Sequence, residues 1–217
     1  MTDYAVARAN MVENQLRPNR IDDPDVLAAM GAVPRELFVG ETLRDCAYGD
    51  EDLDLGGGRY LIEPLALGKL LQAAAPTARD VVLVTGDVTG YVTAVLARMT
   101  GSVFCLVPEG TSIGPVEAAL SALDCDNVVV AAGMPAAGLP NRAPFDLVLL
   151  VGSVPALPST LVDQVGDNGR IVGVVAHGRS GRVVLARKVH GAFGRIAPFD
   201  AQIHRLPGPA PAPAFTF

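Results

Sequence analysis

The segment Val81-Val82-Leu83-Val84-Thr85-Gly86-Asp87-Val88-Thr89-Gly90-Tyr91 has the order of types that can hold a nucleotide: an apolar run, a glycine-bearing turn and an alanine-rich stretch. Such a turn brings backbone close to a ligand, and the helix behind it offers unpaired N–H groups. Gly86 and Gly90 suit that use, and Asp87 and Thr89 are placed to cap the helix. An alternative for Asp87 is pairing with a cationic ligand group. Val84 and Val88, however, stand where such a site needs an acid and a second close-approach glycine. A second cluster with chemical potential is the glycine-rich run over residues 53–64. There Arg59 could clamp a carboxylate with its two-pronged guanidinium, the plainer reading being a solvated surface arginine. Tyr60 carries a hydroxyl, and Glu63 would repel an acidic ligand if it pointed inward, although a helix N-terminal acid needs no such role.

Other chemistries find less support. His177, His190 and His204 have no metal-ligand spacing, so no metal is expected. Gly152-Ser153 lacks the G-x-S-x-G frame of a serine hydrolase. Cys46, Cys105 and Cys125 are far apart, without C-x-x-C, and read as buried reduced thiols.

The elements that position these residues follow from pattern. Residues 5–16 have helical periodicity ended by Pro18, and Asp22 or Asp23 can cap a helix from Pro24 to about Met30. Residues 34–39 open a short helical turn, 53–60 form a glycine-rich loop, and 63–75 make a helix with Pro64 at its start. From Asp80 the period changes. Strands are predicted at 81–85, 102–107, 127–131, 146–151 and 170–175, with helices at 93–99, 114–123 and 157–165 between them. Residues 182–189 and the tail to Phe217 read as edge strands, with the proline-rich stretch 207–213 an extended lead to Phe215 and Phe217, which could dock on the core. The alternation predicts an α/β fold with a Rossmann-like, doubly wound, mostly parallel sheet, an N-terminal helical extension and C-terminal edge strands. One domain over 1–217 is expected: helices and loop to 78, the Rossmann-like core over 79–190, then the terminal strands and tail.

At 217 residues, 50% hydrophobic and 18% charged, the chain is globular in composition. A net charge of −6 argues against nucleic-acid or acidic-membrane partners. Without a secretion signal or an apolar run of transmembrane length, a cytoplasmic location is expected. A mean hydropathy of +0.34 is compatible with a homodimer.

Val33-Pro34-Arg35-Glu36-Leu37-Phe38-Val39 followed by Ala47-Tyr48-Gly49-Asp50 resembles a signature of the protein-L-isoaspartate O-methyltransferases. Residues 53–64, Thr89-Gly90-Tyr91, Pro144-Phe145-Asp146-Leu147-Val148-Leu149 and residues 164–172 are similar, in order, to further motifs of that family. The resemblance implies S-adenosylmethionine as cofactor and carboxylates of damaged proteins or peptides as partners. It also implies positions that this chain has changed. Val84 replaces the acid ending the first strand, Val88 the middle glycine, Val107 the ribose-binding acid and Met134 the adenine-side Asp. Glu109, two residues beyond Val107, could substitute. Tyr60 and Ile62 stand at hydroxyl positions of the substrate loop, and Ser153 borders the place of the substrate carboxylate, so its backbone and hydroxyl are the choice for a remaining anion site. Gly86, Asp87, Gly90 and Glu109 are thus vestigial cofactor residues, and Tyr60, Arg59 and Ser153 the candidate catalytic ones. The expectation is a family protein with a degenerate cofactor pocket and weak or absent methyl transfer, its cofactor being S-adenosylmethionine by resemblance or, as the alternative, none. An active divergent carboxyl methyltransferase and a binder of another small ligand are the alternatives.

Overall fold

The computed structural model describes residues 2–177 and 180–206. At the N-terminus Asp3 caps helix α1 (Tyr4–Asn10), which continues through wider π turns at Met11–Leu16 and a tight turn at Arg17–Asn19. Helix α2 (Pro24–Ala32) begins at Asp23, whose carboxylate accepts the N–H groups of Asp25 and Val26. The segment read as a glycine-rich loop is a hairpin of β1 (Leu53–Gly56) and β2 (Arg59–Leu61). Gly56, Gly57 and Gly58 all take positive φ and let the chain reverse there. Helix α3 (Pro64–Ala74) follows, with Pro64 in its first turn.

A seven-stranded sheet then forms from β3 (Val81–Thr85), β4 (Ser102–Pro108), β5 (Val128–Gly133), β6 (Phe145–Val154), β7 (Val165–His177), β8 (Ser180–Val189) and β9 (Ala192–Ile196). Its order is β5-β4-β3-β6-β7-β8-β9; the pairs from β5 to β7 are parallel, and β8 and β9 join antiparallel. The crossovers carry helices α4 (Tyr91–Ala97), α5 (Ile113–Ser121) and α6 (Ser159–Val162). The last is shorter than its periodicity predicts: Pro158 sets its start and β7 begins at Val165.

Alternation along β3 places apolar groups on both faces of the sheet. Val82 and Val84 pack in one core with Leu16, Met30, Leu67 and Leu71. Leu83 joins Leu106, Phe145, Val148 and Leu206 in the other. After β9 the expected edge strands give way to a segment laid across the sheet's C-terminal end. Val183 N–H donates to Phe199 O, and residue 205 pairs beside Ser153 on β6. The proline-rich stretch with Phe215 and Phe217 lies outside the described residues. Among the described residues no helix is long and apolar enough to cross a membrane. Cys105 is buried, whereas Cys125 is half-buried and Cys46 exposed, so only the first fits the expectation of buried thiols.

Candidate active site

The turn after β3 sets its two positive φ angles at Gly86 (89°) and Gly90 (87°). Val88, at the place of the family's middle glycine, does not take positive φ, so its backbone is one that a β-branched residue adopts without strain. Its half-buried side chain instead fills space, lining a cavity of about 530 Å³ with Phe38, Arg59, Thr111 and Ser112. Asp87 is 2% exposed. One carboxylate oxygen accepts from Gly90 N (2.9 Å) and from the N–H and hydroxyl of Thr89; the other accepts from Thr93 N (2.9 Å) and Thr93 Oγ1 (2.8 Å). The start of α4 is therefore capped from within, and the carboxylate has little capacity left for a ligand. Gly86 and Gly152 have a packing reason of their own. A Cβ on Gly86 would collide with Leu206, and one on Gly152 would lie 2.6 Å from Leu206 Cγ.

The neighbouring strand ends are apolar. Val84 and Val107 are fully buried, Val84 in register with Cys105 and Leu149, Val107 with Ala132. Met134 is 55% exposed. Glu109 is also exposed, with its N–H donated to Gly133 O.

On the substrate side the two consecutive residues Arg59 and Tyr60 part company, as alternation along β2 requires. Arg59 is exposed, and its guanidinium donates to Gly56 O (3.3 Å) and, at the limit of hydrogen bonding, to Leu55 O. Tyr60 faces a separate cavity of about 840 Å³, shared with Asp52, Glu63, Lys69, His204 and Arg205. Its ring stacks on His204 at 5.2 Å between centroids. Ile62 is buried, and its carbonyl accepts from Arg35. Glu63 lines the cavity at the start of α3, where the Lys69 ammonium and the Ala66 N–H favour its charged form. Burial, then the nearby charges of Asp52 and Asp50, push its carboxyl above the ordinary value. Ser153 cannot serve as expected for an anion. Its N–H donates to His204 O (2.7 Å) and its hydroxyl lies 3.2 Å from the same carbonyl, so both donors hold the C-terminal segment.

Three residues outside the sequence expectations complete this region: Asp52, His204 and Leu206. Asp52 Oδ2 accepts from His204 N (2.7 Å) and lies 3.1 Å from His204 Nδ1, while Oδ1 accepts from Glu63 N (2.8 Å). Burial works to raise the Asp52 carboxyl, but these bonds outweigh it and hold the group low. The partners are 152 residues apart, so no local pattern could have joined them.

A family profile described as protein-L-isoaspartate(D-aspartate) O-methyltransferase matches residues 7–197. A protein-L-isoaspartate O-methyltransferase of Desulfosudis oleivorans is 37% identical over 172 residues, covering 79% of this chain and 78% of that protein. One of Koribacter versatilis is 32% identical over 208 residues, covering 96% and 94%. Among solved structures, a putative protein-L-isoaspartate O-methyltransferase of Plasmodium falciparum, in complex with S-adenosyl-L-homocysteine, superposes with a TM-score of 0.78. That match covers 95% of this chain and 99% of that one at 18% identity, and it concerns the fold.

Proposed function

The chain belongs to the protein-L-isoaspartate O-methyltransferase family, and from that premise we propose that its cofactor pocket is degenerate, so that methyl transfer to isoaspartyl carboxyls is weak or absent. The family's cofactor is S-adenosylmethionine. The residues present do not fit it. One observation carries the reading: at the four positions where the family pattern puts an acid or a close-approach glycine around the ends of β3, β4 and β5 this chain has apolar residues, and the one exposed acid nearby, Glu109, lies beyond the end of β4. Val84 and Val107 are buried valines, Met134 points outward, and Asp87 is taken up by its own turn. Hydrogen bonds to a charged group contribute roughly 1.5–3 kcal/mol each. Two lost contacts therefore weaken binding by about a hundredfold to ten-thousandfold.

Thermal unfolding with S-adenosylmethionine or S-adenosylhomocysteine at about 1 mM tests this. No stabilisation is expected, whereas a site of about 10 µM affinity would add roughly 2.7 kcal/mol and sink the reading. The second reading, an active divergent carboxyl methyltransferase, is favoured by the retained Gly86 and Gly90 geometry. Formation of base-labile methyl ester on an isoaspartyl peptide would establish it instead.

A further inference from the structure

We propose that the outer edge of β5 pairs antiparallel with the same strand of a second copy of this chain, joining the two sheets into one across a two-fold axis. Such pairing is independent of the state of the cofactor pocket.

The main chain comes first. β5 ends the sheet and bonds only to β4. Val103 N–H donates to Asn127 O, and Glu109 N–H to Gly133 O, so the odd-numbered residues of β5 face β4. In a parallel pair, alternate residues direct both N–H and C=O to the same neighbour. Val128, Val130 and Ala132 therefore turn theirs outward, where no partner strand lies among the described residues. An open row of this kind is a template for another strand.

The two edges of the sheet are unlike. At the far one, β9 carries Gly194 and Arg195, and Pro198 follows it; a charge and a proline both discourage pairing. β5 reads Val-Val-Val-Ala-Ala-Gly, with neither, and the Val129 side chain is 47% exposed.

Symmetry and charge then choose the occupant. Antiparallel pairing about Val130 sets that residue against its twin and Val128 against Ala132 of the second copy, so the outward groups satisfy one another reciprocally. On the open face Val129 meets Ala131 of the second copy and leaves water. Each chain carries a net charge of −6, so two copies repel wherever their acids face each other. In this register they do not. Asp126, just before the strand, falls opposite Met134 of the second copy, and no charged residue lies between Asp126 and Arg142. A charged partner peptide would find nothing on this strand to read.

Sedimentation of the full chain between about 1 and 100 µM tests the pairing. The contact is short and largely main-chain, so a dimer with a dissociation constant of about 1–50 µM is expected. Val129→Lys puts a charge on the edge, and Ala132→Pro removes an outward N–H without touching a bond to β4. Each should raise the dissociation constant at least about tenfold, with a cooperative thermal transition confirming that the variant folds. Ile196→Lys, at a 59% exposed position on the opposite edge, should leave it unchanged. Hydrogen exchange locates the contact: the Val130 and Ala132 amides should slow as concentration rises across the range. The pairing is overturned if the chain remains monomeric at about 100 µM, if either folded edge variant leaves the dimer intact, or if those two amides exchange equally fast at both ends of the range.

Discussion

Arg35 is fully buried, and its single side chain ties two distant stretches together. Its guanidinium donates to the carbonyls of Ala47 and Ile62 and lies 4.8 Å from the centre of the Tyr91 ring. Burial lowers its pKa, and the Tyr91 hydroxyl is the first influence opposing that. Arg35→Leu would keep bulk but strand two carbonyls, at about 1–3 kcal/mol each. Urea denaturation should therefore show a loss of about 2–6 kcal/mol; a loss under about 1 kcal/mol would mean those carbonyls find other partners. A second buried arginine, Arg170, donates to Ala75 O (2.7 Å) and to Asp80 Oδ2 (2.6 Å). Burial tends to raise the Asp80 carboxyl, yet the bonds from Arg170 and Thr77 leave it below the ordinary value. A depressed folded-state value means that the contribution is complete above the unfolded pKa of about 3.9 and is lost as pH falls through the folded one. Asp80→Asn should cost about 3–5 kcal/mol at pH 7, because Arg170 is left without its counter-charge. The gap between parent and variant should then narrow below about pH 4, as denaturation curves at pH 7 and pH 3 would reveal.

At the scale of elements, the strand ends decide what the turn after β3 can hold. Restoring Val88→Gly, Val107→Glu and Met134→Asp together should bring S-adenosylmethionine binding to about 100 µM or tighter, measured by calorimetry. Without ligand the same variant should lose about 1–3 kcal/mol, since Val107 is wholly buried and a carboxylate there has no partner of its own. A stable triple variant that still fails to bind would place the loss elsewhere. The elements themselves were legible where local pattern and tertiary burial agree. The β-branched run at β3 and the Asp23–Pro24 start of α2 fall where the sequence puts them. The β1–β2 hairpin was not, because three successive glycines conceal the pairing of Leu53 with Leu61. The shortening of α6 was equally hidden, since its periodicity runs on into β7. At the candidate site, the valines at 84, 88 and 107 were legible as changes of side-chain type. The commitment of the Ser153 donors and the Asp52–His204 pair depends on where residues 199–206 return, and nothing local encodes that.

At the scale of the whole molecule, residues 199–206 lace the far edge of the sheet back to its centre. Leu206, 8% exposed, closes the space beside Gly86 and Gly152, while Ile203 and His204 present carbonyls to Ser153. Leu206→Ala should lower stability by about 2–4 kcal/mol in urea denaturation and speed amide exchange at Ser153, whose N–H this segment covers. Unchanged exchange at Ser153 would show the segment to be held without its leucine. The Asp52–His204 link also has a meaning in time. Chain synthesis runs at about 5–20 residues per second, so the 152 residues separating the partners take roughly 8–30 s to emerge. The hairpin leaves the ribosome long before the imidazole that completes its cavity. A nascent chain can thus assemble most of the sheet and still lack this pocket, whose closure marks the moment at which residue 204 has emerged.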